Sequence, residues 1–166
     1  MVLKSIKLLQ TMNKGITTLF LLFFLTACQG NICYHSYQPV PKAGWKGNDT
    51  LSYPIYSHME AGYYDMQIGV RHLESYPYKD IWLEINHNLK DSTTFQKDTI
   101  HLYLADPKGN WYGNGIGGLL QYTTNNILRL HLQENSNQSS INIIHLMKDS
   151  LLKSIHDIGI QLQQVP

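Results

Sequence analysis

The sequence predicts an all-β protein: an antiparallel β-sandwich of about seven or eight strands, jelly-roll-like in its connections. From Thr50 onward, apolar and polar residues alternate with a period of two, which is typical of strands that bury one face. Clusters of Pro, Gly, Asn, Asp and Ser separate the alternating runs. Because each such strand hides only one side, two sheets must stack to cover both apolar faces.

The predicted strands follow one another between turn segments. Alternation covers residues 64–70, 81–89, 100–104, 128–132, 141–143 and 158–162. Turn-forming residues occupy 76–77, 88–92, 106–110 and 135–140. The alternating runs are therefore bounded in the way expected for strands of antiparallel sheets.

One segment near the C-terminus breaks the alternation and predicts a short helix. Apolar residues recur there at helical spacing, at Leu151, Leu152, Ile155 and Ile158. Asp149 or Ser150 stands where an N-cap belongs. We expect one or two helical turns packed over an edge of the sandwich. Gly159 then ends the helix, and the last strand follows.

Residues 1–27 are typical of a secretory signal peptide. A basic start is followed by an apolar stretch at residues 16–25 and then by small residues. That stretch would span only about 15 Å as a helix, half of a hydrocarbon core of about 30 Å, so a permanent transmembrane helix is not expected. Met12 is as good a start as Met1 and gives a more compact leader.

The leader ends in Leu25-Thr26-Ala27 and Cys28 follows it; these four residues resemble the lipobox of bacterial lipoproteins. This resemblance implies cleavage before Cys28 and attachment of diacylglycerol to its sulfur, with fatty acyl chains such as palmitate as the anchor. An internal disulfide is then impossible, because Cys33 is the only other cysteine. The alternative is an ordinary secreted protein in which Cys28 and Cys33 form a small disulfide.

The predicted domain organisation has three parts. The signal peptide of residues 1–27 is followed by a tether at residues 28–47, which prolines and glycines interrupt and which shows little apolar periodicity. The β-sandwich domain then covers residues 48–166. Lipoproteins use the residues after the cysteine as a sorting signal, and residues 29–31 contain no acid. A lipid-anchored membrane protein that faces the periplasm is therefore expected.

Composition argues against a nucleic-acid partner. The formal net charge is +1, from 13 basic and 12 acidic residues, but the leader holds three of the lysines and no acid. The mature chain therefore has 10 basic residues against 12 acidic ones, a net charge of −2, whereas nucleic-acid binding requires a clustered basic surface. The mature chain also keeps all 11 tyrosines and all three tryptophans, which suit half-buried sheet surfaces and binding faces.

Residues 104–119 are the most distinctive internal stretch, because two aromatic residues stand among five glycines. A phosphate-binding loop would require a following helix and a parallel sheet, and neither is predicted. One interpretation is a hairpin with bulges, where glycine permits positive φ. The other is a shaped surface loop for a protein partner, with a candidate interaction surface formed by Trp111, Tyr112, Gly115, Gly117 and Gly118.

No catalytic residue, cofactor or metal site is predicted, and we expect a protein that is not an enzyme. The eight histidines include no close pair of the zinc-binding type. His101 and His131 fall on polar strand faces, whereas His87 and His145 fall in apolar phase, as buried strand-end histidines would. No nucleophile motif or catalytic carboxylate pair is present.

The three tryptophans allow a second functional hypothesis. Trp45, Trp82 and Trp111, together with the tyrosines, could form a flat platform that stacks on sugars, as in carbohydrate-binding sandwiches. Aromatic residues in strands also pack across strands for purely structural reasons. The alternative to a protein-binding role is therefore a glycan-binding lipoprotein of the cell surface.

Six short blocks and the lipobox cysteine occur in a fixed order along the mature chain, at residues 44–45, 76–83, 98–100, 104–111, 115–119 and 155–160. In that order they resemble the gliding-motility lipoprotein GldH family of Bacteroidetes. The resemblance implies a non-enzymatic envelope lipoprotein that acts with other Gld lipoproteins and the associated secretion machinery. The family also occurs in bacteria that do not glide, and it supplies no catalytic residues; only Cys28, as the lipid attachment site, is carried over.

Overall fold

The computed structural model describes residues 32–55, 59–90, 93–134 and 139–165, and within these ranges the chain is all-β with no helix. Twelve strands follow in order: β1 Ile32–Pro39, β2 Trp45–Lys46, β3 Leu51–Pro54, β4 Gly62–Leu73, β5 Asp80–His87, β6 Gln96–Tyr103, β7 Asn114–Ile116, β8 Leu119–Thr123, β9 Leu128–Leu132, β10 Ser140–His145, β11 Leu151–Leu152 and β12 Ile155–Gln164. All pairings between them are antiparallel.

The largest sheet has six strands and is built around the long strand β4. Its order is β1-β12-β4-β8-β7. Strand β9 also pairs with β4, using the first part of that strand, whereas β8 uses the last part. Strand β4 alternates buried and partly exposed residues along most of its length, so the period-two pattern of residues 64–70 reflects burial of one face.

A four-stranded sheet has the order β3-β10-β5-β6, and β2 pairs with β11 in a small separate ribbon. Buried residues of both larger sheets belong to one hydrophobic cluster. A hydrogen bond also joins the two sheets, since the fully buried Tyr53 hydroxyl of β3 donates to the Ile158 carbonyl oxygen of β12 at 2.7 Å. The core therefore lies among side chains that both sheets supply.

The predicted C-terminal helix is wrong. Residues 151–152 form β11 and residues 155–164 belong to β12. The backbone turns between them at Ser154, whose φ of 67° is left-handed. A register shift between Ile155 and Asp157 then changes the phase of β12 against β4. This irregularity brings Leu152, Ile155 and Ile158 to buried positions at a spacing that imitates a helix.

The structure also differs from the predicted tether of residues 28–47. Strand β1 occupies Ile32–Pro39 and pairs along its length with β12. Val40 is buried, and Trp45 in β2 is completely buried. Residues 32–47 of the predicted tether therefore already belong to the fold. Nothing in the described residues forms a helix with the length and apolar character that crossing a bilayer requires.

Candidate interaction surfaces

The hairpin of β7 and β8 contains the three glycines of the predicted interaction surface. Gly117 and Gly118 form its two-residue turn with φ values of 65° and 80°, a left-handed conformation that favours glycine. Gly115 lies opposite Leu120, and a Cβ at that position would overlap the Leu119 carbonyl oxygen. The glycines are therefore explained by the turn and by close backbone approach.

The two aromatic residues of the predicted surface have different environments. Trp111 is half-buried: it forms a β-bridge with Ala105, and its ring lies 4.6 Å from that of the buried His72. Tyr112 is 49% exposed, and its ring lies 6.0 Å from the ring of Tyr122. Tyr112 is thus available to a partner, whereas Trp111 mainly packs inward.

Ile116 is an exposed residue that the sequence did not single out. It is the last residue of β7, an edge strand of the six-stranded sheet, and 93% of its surface is exposed. Leu73 on the neighbouring part of the sheet is also exposed. A three-residue strand has too few positions to show alternation, so the pattern did not reveal this apolar tip.

Tyr112 also lines an open groove of about 660 Å³ between the start of β5 and the end of β6. Its other walls include Tyr78, Asp80, Tyr103 and Asp106. The Asp106 carboxylate accepts hydrogen bonds from the Asn110 side-chain and backbone nitrogens at 2.7 and 2.8 Å. These hydrogen bonds hold the pKa of Asp106 below its usual value, and Lys79, which donates to the Pro107 carbonyl oxygen at 2.7 Å, brings a positive charge to the same groove.

Beside the groove, three rings form an exposed aromatic strip made of Trp82, His101 and Tyr103. The Trp82 and His101 rings stack with centroids 4.0 Å apart and planes 9° apart, and the Tyr103 ring lies 4.4 Å from His101. Trp82 is 40% exposed and Tyr103 is 59% exposed. His101 Nε2 lies 2.6 Å from an Asp80 carboxylate oxygen. The strip therefore presents the exposed parts of Trp82 and Tyr103 with a polar edge at His101 and Asp80.

The register of β5 against β6 builds this strip. Trp82 is the direct partner of His101, and Asp80 is the partner of Tyr103, so all four side chains lie on one face of the sheet. The sequence placed His101 on a polar strand face, and it is only partly buried there.

The predicted platform of three tryptophans does not form. Trp45 is fully buried, with its Nε1 donating to the Asp49 carbonyl oxygen at 2.7 Å. Trp111 packs against His72, and only Trp82 is among the exposed large apolar residues.

The two histidines predicted in apolar phase are buried at strand ends, as expected. His87 ends β5 and His145 ends β10, and they are 5% and 2% exposed. His145 Nε2 lies 3.0 Å from the Trp45 carbonyl oxygen, and His87 Nε2 lies 3.4 Å from an Asp98 carboxylate oxygen. Within the described ranges, no group of three or more His, Cys, Asp or Glu side chains could hold a metal ion.

A third buried histidine, His72, lies beneath Trp111. Its Nδ1 lies 3.0 Å from the Leu73 carbonyl oxygen, which makes that nitrogen the donor, and its Nε2 is buried with no hydrogen-bond partner. Burial lowers the pKa of His72, and the hydrogen bond to Leu73 offsets this only in part. The Trp111 ring therefore rests on an imidazole whose neutral form is favoured.

The predicted lipid attachment site, Cys28, lies outside the described residues. The other cysteine, Cys33, is a half-buried thiol in β1.

Comparison with known proteins adds a family match. The family model described as GldH lipoprotein matches residues 32–162, most of the chain. No curated protein matches significantly.

Solved structures are similar only at a low level. An uncharacterized protein from Listeria monocytogenes EGD-e aligns with a TM-score of 0.40 and 15% identity, over 81% of this chain and 11% of that one. A fructofuranosidase from Schwanniomyces occidentalis aligns at 12% identity in two structures. With fructosylnystose the TM-score is 0.35, over 84% of this chain and 35% of that one; with fructose it is 0.33, over 81% and 34%. The chain thus spans well under two thirds of each of these proteins.

Proposed function

Because the chain belongs to the GldH lipoprotein family, we propose that it is a component or assembly factor of the gliding-motility machinery. The family indicates a membrane-anchored lipoprotein of the cell envelope. We further propose that it has no catalytic activity and that it faces the periplasm. The match over residues 32–162 carries this proposal.

In this proposal the anchor is a diacylglycerol on Cys28, which follows the lipobox-like Leu25-Thr26-Ala27. A single acyl chain holds a protein to a membrane only marginally, and stable attachment takes two signals. Diacylglycerol supplies two chains at one residue. Confinement to a bilayer raises the effective concentration for other envelope proteins, so even a small exposed surface such as the β7–β8 hairpin would suffice for binding.

The fold supports this role as a rigid binding domain. The shared hydrophobic cluster and the Tyr53–Ile158 hydrogen bond support face-to-face stacking of the two larger sheets as a jelly-roll-like sandwich. In such an arrangement the outer faces of the sheets and the edge strands remain exposed, so partner proteins can bind them.

The test compares the wild-type protein with Cys28→Ala in envelope fractions after mild crosslinking. We expect the wild type to pellet with membranes and to yield crosslinked envelope proteins identified by mass spectrometry. Cys28→Ala should leave the membrane fraction and lose most crosslinks, because it loses the concentrating effect of the bilayer. Cys33→Ala is the matched control and should behave as wild type. Membrane retention of Cys28→Ala would refute the anchor, and a wild type without protein partners would refute the assembly role.

The aromatic strip favours a second candidate function, glycan binding. Exposed Trp82 and Tyr103 offer apolar ring faces, while His101 and Asp80 offer hydrogen-bonding groups at their edge. Amphipathic aromatic surfaces of this kind suit ligands with an apolar face and polar edges, and sugars have both.

If the strip binds glycans, Trp82→Ala should weaken retention on a polysaccharide array by about tenfold or more, the equivalent of 1.4 kcal/mol. Phe95→Ala is the control, because Phe95 is similarly exposed but takes no part in the strip. Equal retention of both variants, or no retention of the wild type on any glycan, would remove this candidate.

A further inference from the structure

One end of the six-stranded sheet collects the residues nearest the proposed anchor. Ile32, the first residue of β1, pairs with Gln163 near the end of β12. The Val165 backbone nitrogen donates to the Tyr63 carbonyl oxygen at 2.9 Å, at the start of β4. Ile32 and Tyr63 are 53% and 56% exposed. We call this end, defined by Ile32, Tyr63 and Val165, the anchor end.

Covalent geometry limits how far the anchor end can lie from Cys28. Only residues 29–31 separate Cys28 from Ile32. An extended chain spans at most about 3.6 Å per residue, so these two Cα atoms are no more than about 14 Å apart. The tether expected from the sequence was some five times longer. With so short a connection, a lipid on Cys28 would hold the domain close to the bilayer.

We propose that the anchor end is a membrane-facing surface that rests on the headgroup region of a phospholipid bilayer. The proposal depends on the lipidation of Cys28 proposed above. Tyr63 and Ile32 suit this position, since tyrosine favours the membrane–water interface and isoleucine is apolar. Glu60 and Glu134 are exposed near the same end, so the contact relies on the lipid chains and these apolar groups rather than on attraction to anionic lipids.

The same arrangement places the hairpin tip away from the membrane. Strand β4 runs 12 residues from Gly62 to Leu73, a distance of about 36 Å at a rise of about 3.3 Å per residue. At its far end the Glu74 backbone nitrogen donates to the Gly118 carbonyl oxygen at 3.0 Å. Exposed Ile116 and the Gly117–Gly118 turn are thus presented to the periplasmic space, where a partner can reach them.

Energy transfer from the domain to a labelled bilayer tests this orientation. A fluorescent donor is attached at Tyr63→Cys or at Ile116→Cys, each in the Cys33→Ala protein with the lipid kept on Cys28. Both proteins are reconstituted in phosphatidylcholine vesicles that carry an acceptor on a lipid headgroup. We expect several-fold stronger transfer from position 63 than from position 116. Equal or reversed transfer, with both proteins still floating with the vesicles, would overturn the orientation and leave the anchor intact.

A third protein carries fifteen Gly and Ser residues inserted between Gly30 and Asn31. Its connection would have a root-mean-square length of about 24 Å, so transfer from position 63 should fall towards the value at position 116. Unchanged transfer would overturn the role of the short connection. If neither labelled protein floats and mass spectrometry finds no lipid on Cys28, the proposed anchor fails and the orientation fails with it.

Discussion

Replacing Trp45 with alanine is expected to destabilise the domain by about 3–5 kcal/mol, a large part of the 5–15 kcal/mol typical of a folded domain. The Trp45 side chain is completely buried and its Nε1 donates to the Asp49 carbonyl oxygen. Its ring also packs edge-on against His145 at 5.1 Å. Urea unfolding of the mature chain, followed by circular dichroism, gives the change in free energy.

Trp82→Ala is the matched control, because Trp82 is 40% exposed and its loss leaves no internal cavity. We expect it to lower the free energy of unfolding by less than about 1 kcal/mol. The comparison also tests where the folded domain begins. If residues 28–47 were only a tether, Trp45→Ala would be as mild as Trp82→Ala, and that outcome would contradict the described packing of β2.

Period-two alternation predicted most of the longer strands and missed the edge strand β1 and several short strands, among them β3, although β3 also buries alternate residues. Strands β4, β5, β10 and β12 were located because their buried positions alternate with more exposed ones. Strand β1 has a single buried residue, Tyr34, and a register shift between Ile32 and Tyr34. An edge strand with this pattern resembles a linker in sequence, although it pairs with β12 in continuous register from Tyr34 to Pro39.

The apparent helix at residues 148–158 illustrates a second limit. Hydrophobic spacing reports which side chains are buried, and a β-bulge changes that spacing without forming a helix. At Ile155 the bulge and the left-handed Ser154 together shift the phase. Pairing with Trp45 of β2 then fixes Leu152 as a strand residue. Whether this segment forms a helix or a strand therefore depends on the strand with which it pairs in the folded protein.

The sequence predicted the hairpin that contains the candidate interaction surface, but it did not predict which aromatic side chains are exposed. The glycines predicted a hairpin within residues 104–119, and the structure places the turn of the β7–β8 hairpin at Gly117 and Gly118, where few other residues adopt the backbone conformation. The exposure of tryptophan could not be found in this way, since Trp45, Trp82 and Trp111 have the same side chain in three environments. The stack of Trp82 on His101 depends on the pairing of β5 with β6, which the sequence does not specify.

Acidification below about pH 6.5 is expected to destabilise the domain steeply. Burial is the largest cause of a lowered pKa at His72, His87 and His145, and Asp98 offsets it only in part at His87. The folded state therefore keeps these imidazoles neutral where the unfolded chain binds protons, since 6.5 is their ordinary value. The stability they contribute is complete above that pH and is lost as the pH falls.

Each such histidine adds a slope of up to about 1.4 kcal/mol per pH unit in the range where only the unfolded chain is protonated. Three of them give a limit of about 4 kcal/mol per unit. Urea unfolding at a series of pH values between about 8 and 5 measures this slope. His72→Gln should reduce it, because glutamine cannot take up the proton that stabilises the unfolded chain.

The control is His35→Gln, which removes an exposed histidine and should leave the slope as in wild type. A slope that His72→Gln does not change would mean that the buried imidazole is protonated without loss of stability, and the described burial beneath Trp111 would be contradicted. Because His72 packs against Trp111 and His145 packs against Trp45, acid should loosen the packing at both places. The domain should therefore lose its tertiary structure in one transition, without an earlier opening of the Trp111 side alone.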